Sequence, residues 1–445
     1  MKRLIMDQLS RWKGGKHRKP LLLLGVRQVG KTYILKEFAA SHFPSYHYVN
    51  FEKEPGLNRL FKPDLNPKRI IDELSFHLGQ PINIAEDLVI FDEIQACPKA
   101  LTSLKYFQED LPKLRICGAG SLLGIHLAPT SFPVGKVSML TLCPMSFEEF
   151  LMADEDNKSV EILRKLTLSG TIPEIIHEHL WNQMKRYFVV GGMPEAVSTY
   201  CENKDNLFVA FSLVREKQDH LITAYYADMA KHSGKINAMH IDRVFRSVPT
   251  QLEKEQDGSA GKFRFKGVIP GVSHYQRLAS AIDWLVAAGL VIKVNIVNSG
   301  NLPFKAHSKE NIFKLLLFDI GILGAMCHLS PKVILDYNYG SYKGYFVENF
   351  VAQAFYCSGP QELFCWNEKT AEVEFLREIE GQIIPIEVKS GSTTKTKSLK
   401  VFSEKYHPIY RVILSGKSFH IDEKNGLHFY PLYLADRFPL VLEDV

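Results

Sequence analysis

Over the first 150 residues, short apolar runs alternate with stretches whose apolar positions recur at helical spacing. Wholly or mostly apolar runs at residues 21–25, 46–51, 87–93, 113–117 and 137–142 predict five strands. The helical patterns between and after them, at 33–40, 66–78, 99–110 and 146–152, predict the crossovers of a parallel sheet. A polar break begins at Met152, and residues 160–235 then read as mostly helical. Two further helix patterns and a β-branched run fill residues 236–297; in the helix at 273–288, Tyr275, Leu278, Ile282, Trp284 and Leu285 are the core candidates. From about residue 311 the order is strand, helix and a helix at 344–356. Strands follow at 363–366, 372–376 and 383–388, then a helix at 395–406 and a strand at 409–414. The expectation is an α/β protein in four segments, 1–152, 153–235, 236–300 and 301–445.

A chain of 445 residues exceeds what one core organises, which agrees with several segments. The longest apolar stretches, 284–292 and 315–327, fall short of the roughly 18 residues of a membrane span. Residues 1–20 are basic without an apolar stretch, so no secretion signal is expected. The seven cysteines are odd in number and include no Cys-x-x-Cys, which predicts reduced thiols in a cytoplasmic protein. His177-x-His179 has no third ligand at metal spacing and reads as a pair of surface histidines. The net charge of +5 is too small to argue for nucleic acid by itself.

The most specific chemistry is Gly25-Val26-Arg27-Gln28-Val29-Gly30-Lys31-Thr32, a Gly-x-x-x-x-Gly-Lys-Thr loop between an apolar strand and a helix. The backbone N–H groups of residues 26–31 would converge on a β-phosphate at the positive end of that helix. Lys31 would reach the β/γ-phosphates and Thr32 would offer its hydroxyl to Mg²⁺. A strand ending in Asp92-Glu93 supplies the second signal, because ligands bind at the C-terminal edge of parallel sheets. Asp92 would hold Mg²⁺ through water and Glu93 would orient the attacking water. Ser121, after Gly118-Ala119-Gly120, is either a γ-phosphate sensor beside the P-loop strand or part of a Gly/Ser turn.

Together, Gly-x-Arg-Gln-Val-Gly-Lys-Thr, Phe-Asp-Glu-Ile-Gln, Gly-x-Gly-Ser-Leu-Leu, Pro-Met-Ser-Phe-Glu-Glu-Phe and Gly191-Gly192-Met193-Pro194-Glu195-Ala196 resemble the prokaryotic AAA-type ATPases. The similarity is to the group with a C-terminal domain of unknown function and a nuclease-like core. It implies an ATPase core (1–152), a helical lid (153–235), a winged-helix segment (236–300) and the C-terminal domain (301–445), with ATP and Mg²⁺ as cofactors. Relatives often carry Gly-Arg where this chain has Gly135-Lys136; Lys136, Arg115 and Arg186 are the cationic candidates for a phosphate contact.

Glu374, Glu387-Val388-Lys389 and Glu348 look like a PD-(D/E)XK nuclease core, in which acids on adjacent strands hold Mg²⁺ and a lysine supports the developing charge. Glu374 stands where Asp is usual. Cleavage and an inherited fold used for binding are both open. The basic residues Lys389, Lys395, Lys397 and Lys400 suit phosphate contact or a solvated face. Lys262-Phe-Arg-Phe-Lys266, with Arg277, suits either DNA phosphates or a strand packing its aromatics inward. The expected partners are ATP, then nucleic acid or a protein, with oligomers open and no membrane. Three functions compete: an ATPase coupled to its C-terminal module, an ATP-gated nuclease, and an ATP-driven protein-binding switch.

Overall fold

Four leucines and a glycine, buried at every position, make β1 (Leu21–Gly25) an interior strand of the first sheet in a computed structural model of the chain. The structure describes residues 1–121, 132–232, 235–252, 261–340, 342–359, 362–369, 371–391 and 396–441. These divide into two units, Met1–Cys143 with Ala287–Gly289, and Pro144–Val286 with Leu290–Val445.

In the first unit, α1 (Ile5–Gly14) precedes β1, and α2 (Lys31–His42), β2 (Tyr46–Asn50), α3 (Pro67–Leu78), β3 (Leu88–Asp92), α4 (Pro98–Asp110), β4 (Arg115–Ser121) and β5 (Ser138–Thr141) follow. The strands lie in the order β2-β3-β4-β1-β5, and all neighbours are parallel. Asn66 caps α3 by accepting the Lys68 and Arg69 N–H groups, and left-handed Gly79 ends it. Phe51, Phe61, Phe91, Phe107, Ile70 and Leu104 join one apolar core on one side of the sheet. The expected strand at 113–117 runs on through Ser121, so Gly118–Ser121 is strand and not a Gly/Ser turn.

The second unit begins with α5 (Phe147–Ala153), whose Ser146 and Glu149 form a reciprocal capping box. Helices α6 (Asn157–Lys165), α7 (Glu174–Val190), α8 (Pro194–Asn203), α9 (Leu207–His232), α10 (Lys235–Leu252) and α11 (Tyr275–Ala287) realise the expected helical stretch. Leu278, Ile282, Trp284 and Leu285 of α11 are buried as expected, and Tyr275 is half-buried. The Gly191-Gly192 turn between α7 and α8 is a close backbone crossing: a Cβ on Gly192 would collide with the Met145 backbone. There the Met145 N–H donates to the Gly192 carbonyl at 2.6 Å, and the Gly192 N–H donates to buried Asp319 at 2.7 Å.

The remaining strands are β6 (Val291–Val297), β7 (Ser308–Leu317), β8 (Leu363–Glu368), β9 (Ala371–Ile379), β10 (Gln382–Val388), β11 (Arg411–Ser415), β12 (His420–Asp422) and β13 (Leu427–Pro431). They form one mixed sheet in the order β12-β13-β11-β10-β9-β8-β6-β7. Interleaved are α12 (Ile320–Met326), α13 (Pro331–Leu335), α14 (Tyr342–Ser358) and α15 (Lys397–Tyr406). Helix α14 is buried from Tyr345 to Phe355, as a helix apolar on most sides must be. Its polar side chains serve neighbouring chain ends: Asn349 brackets Leu317, accepting its N–H at 2.7 Å and donating to its carbonyl at 2.9 Å.

Two surface expectations change. His177 is buried, bonding Tyr433 Oη through Nδ1 at 2.9 Å and facing the Gly416 carbonyl through Nε2 at 3.1 Å; only His179 is exposed, paired with Asp156. Residues 262–265 are not a strand. Phe263 stacks on Phe313 at 6.1 Å and Phe265 meets the same ring edge-on at 6.0 Å, so the aromatics pack inward as the blander reading held. Among the described residues no helix is long and apolar enough to cross a membrane.

Candidate nucleotide site and a buried acidic cluster

The register of the first sheet brings its chemistry to one edge. Gly25 lies opposite Ser121, and Asn50 lies opposite Asp92. Gly25 is dictated by space, since a Cβ there would run into the Leu142 carbonyl oxygen. The loop then turns through left-handed Gln28 (φ 63°) and Gly30 (φ 96°) into α2. Gln28 holds a backbone conformation that costs an ordinary residue about 1–2 kcal/mol.

Lys31 is buried and donates to two neutral acceptors, the carbonyls of Gly25 at 3.0 Å and Val26 at 2.9 Å. Burial lowers its pKa to about 8, opposed by the charges of Glu93 and Asp92. An ammonium held so is ready to exchange carbonyls for anionic oxygens. Thr32 Oγ1 donates to Asp92 Oδ2 at 2.7 Å. A hydroxyl and a carboxylate in contact are the hard oxygen donors that Mg²⁺ takes beside a phosphate, so these residues fit that ion.

Glu93 adopts left-handed φ (48°) immediately after the strand, which turns it out of the strand direction, and its carboxylate accepts from Gln95 Nε2. Strain of this kind is stored at functional sites. The predicted P-loop residues, Thr32, Asp92, Glu93 and Ser121 are thus brought to one sheet edge. Two of the cationic candidates, Lys136 and Arg115, are not. Lys136 pairs with Glu109 at the surface, and Arg115 begins β4, at the opposite end from Ser121. Arg186, in the second unit, donates to Gln183 and Tyr200. Sequence reasoning passed over Tyr48, whose hydroxyl donates to the same Asp92 Oδ2 at 2.7 Å.

In the second unit, Glu387 near the end of β10 and Lys389 just past it pair at 2.6 Å. Glu374 on β9 lies 3.9 Å from Lys389 and accepts the Val388 N–H at 3.3 Å. Burial raises the pKa of Glu374 to about 8, with Lys389 opposing and Glu387 and Glu348 adding to the shift. Lys389 holds Glu387 more closely, so Glu374 is the acid that keeps its proton. Glu348 is committed elsewhere: buried Lys314 of β7 donates to it at 2.7 Å and also contacts Glu372. Lys314 was also missed, although a lone cation in Phe313-Lys314-Leu315-Leu316-Leu317 is a legible anomaly. Among the described residues no group of three or more His, Cys, Asp or Glu side chains is arranged to hold a metal ion. Lys395 lies outside the described residues.

Residues 17–151 match the family described as an AAA domain. Residues 182–333 and 343–434 match two domains of unknown function, DUF8612 and DUF4143. No curated protein matches the chain. Similar solved structures include the Aeropyrum pernix ORC1 protein in complex with DNA, at 12% identity and a TM-score of 0.31, covering 73% of this chain and 90% of that one. Drosophila ORC bound to DNA follows at 15% and 0.29, covering 76% and 95%. Thermotoga maritima RuvB stands at 15% and 0.31, covering 65% and 85%. At such scores these whole-chain likenesses assign nothing further, and the assignment rests on the domain match and the P-loop sheet. The chain is an α/β protein whose residues 17–151 match the AAA domain and carry a P-loop motif on a parallel five-stranded sheet, followed by a region with a second, mixed sheet.

Proposed function

We propose that the chain binds ATP with Mg²⁺ at the P-loop, hydrolyses it, and couples turnover to its second unit in the cytoplasm. Gly25, Val26, Arg27, Gln28, Val29 and Gly30 wrap the phosphates, and Lys31 neutralises the β/γ-oxygens. Thr32 and Asp92 would hold Mg²⁺, which supplies charge neutralisation of the triphosphate when bound. Glu93 orients and polarises the attacking water, and Ser121 contacts the γ-phosphate or that water. The observation that carries this reading is the convergence of a lysine, a hydroxyl and two acids at one edge of a parallel sheet. Adenine rather than guanine rests on the resemblance alone.

A phosphate-release assay tests the assignment. Glu93→Gln should retain nucleotide binding and lose turnover by about 10²-fold or more; unchanged turnover rejects Glu93 as the base.

For the second unit we infer a binding platform with a nuclease-like arrangement rather than a cutting site. The supporting observation is Lys314, whose ammonium already pairs with Glu348 and Glu372. Nucleic acid is the first candidate ligand and a protein the second. Incubation of plasmid and single strands with Mg²⁺ or Mn²⁺ should leave them intact while gel shifts weaken steeply with salt. Cleavage abolished by Lys389→Ala would instead establish a nuclease, and neither shift nor cleavage would favour a protein partner.

A further inference from the structure

We propose that Tyr48 is a positioning residue for Asp92, fixing the carboxylate that would hold Mg²⁺; the proposal rests on the nucleotide reading above. An ionised carboxylate has about four acceptor sites. Three of those on Asp92 are filled from within the chain. Oδ2 accepts the Thr32 hydroxyl at 2.7 Å and the Tyr48 hydroxyl at 2.7 Å, while Oδ1 accepts the Glu93 N–H at 3.0 Å. Among the described residues one direction, on Oδ1, is left for a water bound to the metal. Without Tyr48, Oδ2 regains a lone pair and the carboxylate is held only by the Thr32 hydroxyl and the Glu93 N–H.

Tyr48 is itself held from three sides. Burial raises its pKa to about 12, so the phenol stays a donor at any physiological pH. Asn50 Nδ2 donates to its oxygen at 3.2 Å, and the Lys36 ammonium sits 3.8 Å from the ring centroid. Asn50 is pinned in turn, its Oδ1 accepting the N–H groups of Glu52 at 3.0 Å and Lys53 at 2.9 Å. A path of hydrogen bonds therefore runs from the backbone after β2 through Asn50 and Tyr48 to Asp92. Partners of this outer kind are worth about 10–100-fold in metal affinity.

The test is binding of a fluorescent ATP analogue to wild type, Tyr48→Phe and the control Tyr46→Phe, in EDTA and across a Mg²⁺ titration. Phe keeps the ring and its place beside Lys36 and removes only the hydroxyl. The expected result is metal-free affinity within about twofold of wild type and a Mg²⁺ half-saturation raised about tenfold in Tyr48→Phe alone. Wild-type Mg²⁺ dependence in Tyr48→Phe overturns the proposal, and so does an equal loss of affinity with and without metal, which marks a merely structural role. Wild type that binds no analogue in either condition overturns it together with the nucleotide reading, whereas wild type that binds while Tyr48→Phe behaves like it sinks the proposal alone.

Discussion

Each unit sets a buried lysine, Lys31 or Lys314, beside carboxylates, and the two arrangements are opposites. At the P-loop, Lys31 is held by neutral carbonyls, and the acids nearby are bonded to hydroxyls and amides. In the second unit, Lys314 and Lys389 pair directly with Glu348, Glu372 and Glu387. The first set keeps its positive charge for an incoming anion, and the second spends most of its charge on itself. Counting acids and lysines alone would rate the two alike; who bonds whom separates a lysine held by neutral groups from lysines held by acids.

The comparison breaks first on turnover. Lys31→Met should lower phosphate release about 10³-fold, by analogy with loss of one donor to developing charge, while Lys389→Met should leave it within about twofold. Equal losses in a coupled phosphate assay would erase the distinction. Stability comes next. Lys314→Met leaves buried Glu348 without its cation, a change that costs about 3–5 kcal/mol, and adding Glu348→Gln should recover part of the loss in a denaturant melt. A melt unchanged by Lys314→Met would show that the network contributes nothing to cohesion.

A smaller effect concerns Glu374. Its folded pKa, about 8, lies above the ordinary value of 4.5, so the folded chain keeps a proton that the unfolded chain releases. Between those pH values stability therefore falls as pH rises. Glu374→Gln removes that liability: its melting temperature should match wild type near pH 4.5 and exceed it by about 3 °C at pH 8. A constant offset across pH would contradict the buried, protonated acid. The smallest effect is a proton count. Lys31, with a pKa lowered to about 8, is half-charged at that pH, and a bound triphosphate raises its pKa. ATP binding at pH 8 should take up about half a proton, read by calorimetry in buffers of different ionisation enthalpy.

The candidate nucleotide site is largely legible in the sequence because a P-loop motif is local: strand, loop and helix are contiguous, and the Asp92-Glu93 strand end announces itself. The strand at 113–117 was read short since glycines at 118 and 120 imitate a turn, yet buried between neighbouring strands they pair as strand. Tyr48 was hidden because its role depends on β2 lying next to β3, a pairing no spacing reveals. His177 looked like a surface residue because Tyr433 and Gly416, its partners, lie more than 200 residues away. The strands β12 and β13 escape the sequence pattern for want of length and alternation, being set by pairing, β13 onto β11 and β12 onto β13. In the acidic cluster the residues were found, but not the lysine that claims Glu348, which only the sheet and α14 bring together.

The most direct measurement is equilibrium binding of ATP to the purified full chain, with Mg²⁺ present and folding verified by circular dichroism. Saturable uptake of one nucleotide per chain, lost in Lys31→Ala with the same spectrum, is the predicted result. A folded wild-type chain that takes up no nucleotide at millimolar concentration, or a Lys31→Ala chain that binds as well as wild type, would contradict it.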